Sequence, residues 1–122
     1  MSKSWRAYAL HILDAIGRIE RIRQRGDLTT DEVLYDAALR NLQTLSEATR
    51  QLPEQMKMKY PDIPWREISG FRNILVHNYL GEIDPITVAS VAENHLEALR
   101  SATKQMLNEN NNAISADSSG TE

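Results

Sequence analysis

Apolar residues recur every three or four positions along most of the chain, which is the spacing of one buried face of an α-helix. A first stripe predicts a helix over about 4–25, ended by Gly26. Its members are Trp5, Tyr8, Ile12, Ala15, Ile16, Ile19 and Ile22. A second stripe predicts a helix over about 30–51, with cap residues and acids at 28–32 and an irregular continuation past Pro53. Its members are Leu34, Ala38, Leu42, Leu45, Ala48 and Leu52.

The second half of the chain predicts two more helices. Two prolines within 60–65 indicate a turn, and Pro64 suits the first position of a third helix over 64–79. Asp84 and Pro85 form a cap and a first-turn proline for a fourth helix that runs to about 107. Its stripe is Val88, Ala92, His95, Leu99, Ala102 and Met106. Residues 108–122 are polar with almost nothing to bury, so we expect them to be disordered.

Four amphipathic helices with short connections predict an all-α, up-and-down four-helix bundle. The expected organisation is one bundle domain over 1–107 and a disordered polar tail over 108–122. The chain has no cysteine, which excludes disulfides and thiolate metal sites and makes the cytoplasm the expected location. The sequence contains neither the apolar core of a signal peptide nor the apolar run of about 20 residues that a membrane span needs. We therefore expect a soluble protein without membrane contact.

Charge constrains any nucleic-acid partner. The formal net charge is -3, but three of the 17 acids lie in the last fifteen residues, which leaves 14 basic and 14 acidic residues over 1–107. A neutral domain has no broad positive field that would attract nucleic acid. Any RNA contact must therefore come from a local patch.

Residues 65–79 concentrate the side chains that could perform chemistry. They bring together a cation, an imidazole, two amides and a phenol, namely Arg72, His77, Asn73, Asn78 and Tyr79. Since there is no cysteine, the candidates for proton transfer or nucleophilic attack are hydroxyls, carboxylates and three histidines. Only His77 lies among other polar reactive groups, and it is the first candidate.

An arginine and a histidine meet the needs of RNA cleavage. RNA supplies its own nucleophile, because the 2'-hydroxyl lies beside the scissile phosphate and needs only deprotonation, in-line geometry and charge stabilisation. An imidazole can act as base or acid near neutral pH, which typically contributes about 100- to 10,000-fold. A guanidinium can bind phosphate oxygens in bidentate fashion and stabilise the transition state. Arg72 and His77 thus predict a catalytic pair that needs neither a metal nor a cofactor.

Helical geometry constrains how this pair could meet. Residues five apart, such as Arg72 and His77, are separated by roughly 140° around an ideal helix of about 3.6 residues per turn. Either the helix ends or distorts near His77, or the site combines Arg72 and His77 of two subunits across a groove. The second arrangement is favoured, since a two-fold contact doubles the local cation density. Tyr79 is seven residues from Arg72, nearly in line, and should border the same groove.

Arg72, His77 and Tyr79 reproduce the Arg-x-x-x-x-His-x-Tyr signature of HepT-like toxins in the HEPN superfamily, which the chain resembles over about 5–100. The similarity extends to segments 11–16, 36–42, 46–48 and 61–68. Two departures are Ser46, where a glycine is common, and Phe71, where an aliphatic residue is common. Neither affects the expected chemistry.

The resemblance implies a HEPN-like bundle that forms a homodimer and cleaves RNA, either tRNA or mRNA, without a metal. Arg72 and His77 of both subunits would line the cleft. It also implies a partner, a minimal nucleotidyltransferase antitoxin that transfers AMP from ATP to Tyr79, in a dimer or a larger complex. The added nucleotide would block the cleft by volume and by charge.

Other polar residues have two interpretations each. Asn73 and Asn78 could orient the imidazole or the phosphate, or only cap a helix end. His11 and His95 lie on or beside apolar stripes, which favours packing roles over ligand roles. Arg40 and Glu47 could form a polar layer near the groove or face solvent.

A cluster of arginines near the end of the first helix also has two interpretations. It consists of Arg18, Arg21, Arg23 and Arg25. Cations are favoured there by the helix dipole, so a solvated helix end is the simpler interpretation. An RNA-contact patch is the alternative.

Two other functions fit the same sequence. The chain could be a non-catalytic helical subunit that presents substrate to a nucleotidyltransferase or regulates it, which predicts that His77→Ala is tolerated. It could also be a purely structural dimerisation module, which loss of toxicity in a folded Arg72 or His77 variant would contradict.

Overall fold

The computed structural model describes the backbone of residues 4–70, 90 and 93–120, and their side chains as far as Glu109. Four helices have defined bounds in it: α1 is Trp5–Arg25, α2 is Glu32–Arg50, α3 is Glu54–Lys57 and α4 is Leu96–Gly120. Residues 65–70 and 93–94 are also helical. Every regular element in these ranges is a helix, which confirms the predicted all-α class.

The predicted bounds of α1 are confirmed. Its N-cap is Ser4, whose hydroxyl accepts a hydrogen bond from the backbone N–H of Arg6 at 3.1 Å. Gly26 follows the last helical residue as its C-cap. The buried face carries four members of the predicted stripe, Ile12, Ala15, Ile16 and Ile19, and also Ala9, which the stripe did not include.

Two aspartates shape the connection between α1 and α2. Oδ1 of Asp27 accepts hydrogen bonds from the side chain of Thr29 at 2.7 Å and from its backbone N–H at 2.9 Å. These bonds lower the pKa of Asp27, the side-chain bond more than the backbone bond. Asp31 then caps α2, because its carboxylate accepts from the backbone N–H groups of Val33 at 2.9 Å and Leu34 at 3.3 Å.

The core forms where α1 packs against both α2 and α4. Gly26 marks a close approach, since a Cβ atom there would lie 2.9 Å from Cδ1 of Leu34. An ion pair between Glu20 and Arg100 joins α1 to α4. The largest fully buried apolar side chains are Ile12, Ile16, Ile19, Leu42, Leu45, Leu99 and Met106.

The last helix is longer than its apolar stripe predicts. Core contacts end as expected, because Met106 is buried, Leu107 is half-buried, and Asn108 and Glu109 are exposed. The backbone of α4 continues as a helix to Gly120, whereas the stripe predicts an end at about 107. An apolar stripe reports packing, whereas backbone hydrogen bonds can extend a helix beyond its packed part. The division into a bundle over 1–107 and a tail over 108–122 stays a prediction.

Within the described ranges, no helix combines the length and the apolarity needed to cross a bilayer.

Candidate active site

A single indole fixes the segment that leads to the predicted catalytic residues. Nε1 of Trp65 donates to two backbone carbonyls, those of Lys57 and Tyr60, each at 3.0 Å. The backbone N–H of Trp65 also bonds the carbonyl of Ile63 at 2.8 Å. Ile63 and Ile68 are both buried. Trp65 therefore anchors the chain seven residues before Arg72.

The helical segment 65–70 begins one residue later than predicted. Pro64 stands just before it, and its carbonyl accepts the hydrogen bond from the N–H of Ile68 at 3.0 Å. Pro64 is thus the cap residue of this helix rather than its first helical residue. A proline lacks an N–H group, so it is tolerated in either place, and local sequence does not separate the two.

A buried lysine supports the same turn, and sequence patterns did not indicate it. Lys57 is 6% exposed. Its ammonium group donates to the carbonyl of Thr49 at 3.3 Å and pairs with the carboxylate of Glu54 at 3.3 Å. Carbonyls in the last turn of a helix lack intrahelical partners and attract cations. Lys57 thereby joins α3 to the end of α2.

Tyr60 connects this turn to α4. Its hydroxyl donates to Oε1 of Glu109 at 2.7 Å. Burial, followed by the hydrogen bond to Glu109 and by its charge, raises the pKa of Tyr60 to about 12. The turn before the predicted catalytic segment is therefore held from three sides, by α2, α3 and α4.

The predicted site residues themselves lie outside the described residues: Arg72, Asn73, His77, Asn78 and Tyr79. Their roles, their mutual placement and their assembly across two subunits stay predictions. Phe71, one of the two departures from the family pattern, also lies there. The other departure, Ser46, is buried on α2, where a small side chain fits the core.

The two other histidines do not gather metal ligands among the described residues. His11 is exposed, and its ring centroid lies 6.4 Å from that of Tyr8. His95 is half-buried just before α4, and its carbonyl accepts from the N–H of Leu99 at 3.1 Å. No group of three potential metal ligands occurs within the described ranges.

The remaining polar candidates separate into two groups. Arg40 and Glu47 are both exposed on α2. Three arginines of the predicted cluster, Arg18, Arg21 and Arg25, line one groove between α1 and α2. The fourth, Arg23, is exposed but does not line it.

Comparison with known proteins identifies the family. The family model described as HepT-like, "Ribonuclease HepT-like", matches residues 12–106. A protein of Methanocaldococcus jannaschii named "Putative RNase" is 32% identical over 120 residues, which cover 92% of this chain and 98% of the relative. A protein of Thermococcus cleftensis named "Probable ribonuclease HepT" is 33% identical over 84 residues, which cover 66% of this chain and 76% of the relative.

Another relative is much longer than this chain. It comes from Methanocaldococcus jannaschii, is named "Gamma-glutamylcyclotransferase and putative RNase", and is 36% identical over 84 residues. The match covers 66% of this chain but only 38% of that protein. No solved structure matches the chain. The match over residues 12–106 confirms the resemblance seen in the sequence: the chain belongs to the HepT-like ribonuclease family.

Proposed function

We propose that this chain is the toxin of a toxin–antitoxin system and that it cleaves RNA without a metal, through Arg72 and His77. The observation that carries the proposal is the signature at 72–79, which falls inside the span 12–106 that matches the ribonuclease family. The turn at 57–65 supports the proposal, because its hydrogen bonds hold it in place and a rigid segment favours precise placement of the residues that follow.

The reaction uses the substrate's own nucleophile. His77 removes the proton of the 2'-hydroxyl, whose oxygen attacks the adjacent phosphorus. The bond from phosphorus to the 5'-oxygen breaks, and that oxygen leaves with a proton supplied by an acid. The products are a 2',3'-cyclic phosphate and a 5'-hydroxyl end. Arg72 binds the phosphate oxygens and stabilises the charge that develops on them, while Asn73 and Asn78 orient the imidazole or the phosphate.

Each catalytic group can be tested by substitution. Arg72→Ala should lower kcat by about 100- to 1,000-fold, as loss of one transition-state donor does. His77→Ala should lower kcat by about 100- to 10,000-fold, because the general base is lost. Arg66→Gln, a change at an exposed arginine of the same segment, is the matched control and should leave cleavage unchanged.

Regulation acts through Tyr79. A nucleotidyltransferase partner would transfer AMP when the Tyr79 oxygen attacks the α-phosphorus of ATP, releasing pyrophosphate and the phenolic proton. The modified tyrosine would carry a bulky anion next to the cations that bind RNA phosphate. Both its volume and its charge would exclude the substrate.

The first experiment is an intact-mass measurement of the protein expressed with and without a candidate nucleotidyltransferase, followed by RNA cleavage with both forms. We expect one or more adenylyl groups on Tyr79 and loss of cleavage in the modified form. Tyr79→Phe should remain unmodified and active in both cases. A folded, unmodified protein that binds RNA but leaves a broad RNA pool intact would contradict the proposal and favour a non-catalytic partner of the nucleotidyltransferase.

A further inference from the structure

An open groove of about 600 Å³ lies between the second half of α1 and the first half of α2. Its cationic side chains are Arg18, Arg21 and Arg25. The other described residues around it are amides and apolar side chains, including Asn41 and Ala37 of α2. None of the described lining residues is acidic.

The spacing of the three arginines places them in one row. Positions 18, 21 and 25 are three and four residues apart, so they share a helix face and span about 10 Å at roughly 1.5 Å per residue. Arg23 belongs to the same last turns of α1 but lies outside the groove. The helix dipole favours any cation in the last turn, Arg23 included, and therefore does not account for the row.

Two of the three guanidinium groups are not neutralised within the described part of the chain. Nε of Arg18 is paired with Oδ2 of Asp14 at 2.9 Å. Arg21 and Arg25 are exposed, and no described carboxylate lies within ion-pair distance of either one. Like charges four residues apart on a helix repel each other, so an anionic ligand would reduce the repulsion between Arg21 and Arg25.

We infer that this groove binds the phosphate backbone of RNA, with Arg21 and Arg25 as phosphate ligands. The inference rests on the proposed function for the identity of the ligand. A row of guanidinium groups without carboxylates suits a row of phosphates, which guanidinium binds in bidentate fashion. Since residues 1–107 carry 14 basic and 14 acidic residues, RNA affinity must come from a local patch of this kind.

The test compares two double variants that each remove two positive charges. Arg21→Gln with Arg25→Gln changes the groove, whereas Arg23→Gln with Arg50→Gln changes exposed arginines in the last turns of α1 and α2. The probe is a short fluorescein-labelled RNA with methylated 2'-hydroxyls, which blocks cleavage by 2'-hydroxyl attack. Its Kd is measured by anisotropy at several salt concentrations, after thermal unfolding has confirmed that both variants are folded.

We expect the groove variant to bind the probe about tenfold more weakly near 0.1 M salt. The slope of log Kd against log salt should fall by about 1.4, because each contact to single-stranded phosphate contributes about 0.7. The control variant should keep both values close to those of the wild type.

Two results would overturn the inference. The groove variant could bind RNA with the wild-type Kd and slope, which would leave the groove to another anionic ligand. Both variants could also weaken binding equally, which would show that the groove arginines have no special role. Wild-type protein that binds RNA but cuts none would contradict the proposed function while leaving the groove assignment intact.

Discussion

At the scale of single residues, Trp65 holds in place the segment that leads to the proposed catalytic residues. One indole N–H is shared between the carbonyls of Lys57 and Tyr60, at 3.0 Å each. The first carbonyl belongs to the last residue of α3 and the second to the turn that follows, so one side chain closes this turn. A buried or half-buried carbonyl that loses its donor costs more free energy than the hydrogen bond itself gains.

Trp65→Phe should therefore lower the free energy of unfolding by about 1–2 kcal/mol, because it keeps an aromatic ring but removes both hydrogen bonds. Urea unfolding followed by circular dichroism should show a lower midpoint with an unchanged slope. Arg66→Gln, at the exposed neighbouring position, should change the free energy by less than about 0.5 kcal/mol. An unchanged midpoint for Trp65→Phe would show that the two hydrogen bonds do not hold the turn.

Tyr60 should make stability depend on pH in the alkaline range. Its pKa in the folded chain is raised to about 12 by burial and by Glu109, against about 10 for an unfolded tyrosine. The stabilisation is therefore complete below pH 10 and is lost as the pH rises toward 12. Between about pH 8 and 11, the urea midpoint should fall more for the wild type than for Tyr60→Phe. A Tyr60→Phe variant whose urea midpoint falls with pH as steeply as that of the wild type would contradict this role of Tyr60.

At the scale of elements, Asp31 fixes the beginning of α2. The first half of α2 forms one side of the arginine groove, which is the groove lined by Arg18, Arg21 and Arg25. Asp31 accepts hydrogen bonds from two N–H groups of the first turn. Asp31→Ala should cost about 1 kcal/mol, the usual effect of losing an N-cap. This corresponds to a fall in Tm of about 3–5 °C for a chain of this size. Asp31→Ser, which can still cap, should retain most of the stability, and equal losses in both variants would contradict the capping role.

The sequence predicted the bounds of α1 and α2 closely, because apolar stripes and helix caps are formed by residues that lie close together along the chain. It could not predict the burial of Lys57, since a lysine is usually exposed and its carbonyl partner, Thr49, belongs to another helix. It misplaced Pro64 by one residue and did not predict the helical backbone beyond 107. For the candidate site, the motif supplied the residue types. Placement could not follow from it, because a separation of five residues does not bring Arg72 and His77 to one helix face.

At the scale of the whole molecule, α1 is the helix that joins the proposed RNA groove to the rest of the core. It packs on α2, where the two helices form the arginine groove, and on α4. The ion pair from Glu20 to Arg100 ties it to α4, and this contact, together with the charge of Glu97, raises the pKa of Arg100. The proposed RNA groove thus lies between the two described helices that share the most extensive contact.

The proposed two-subunit site makes a prediction that no single-subunit site shares. If Arg72 of one subunit works with His77 of the other, a dimer of one Arg72→Ala and one His77→Ala subunit keeps one intact site. Random mixing yields about half such dimers, and each of them has one of its two sites intact. Co-refolded variants should therefore recover about a quarter of wild-type cleavage, although each variant alone is inactive. Mixing Arg72→Ala with the double variant Arg72→Ala/His77→Ala should recover none. If the first mixture also stays inactive while mass spectrometry detects mixed dimers, both residues must act within one subunit.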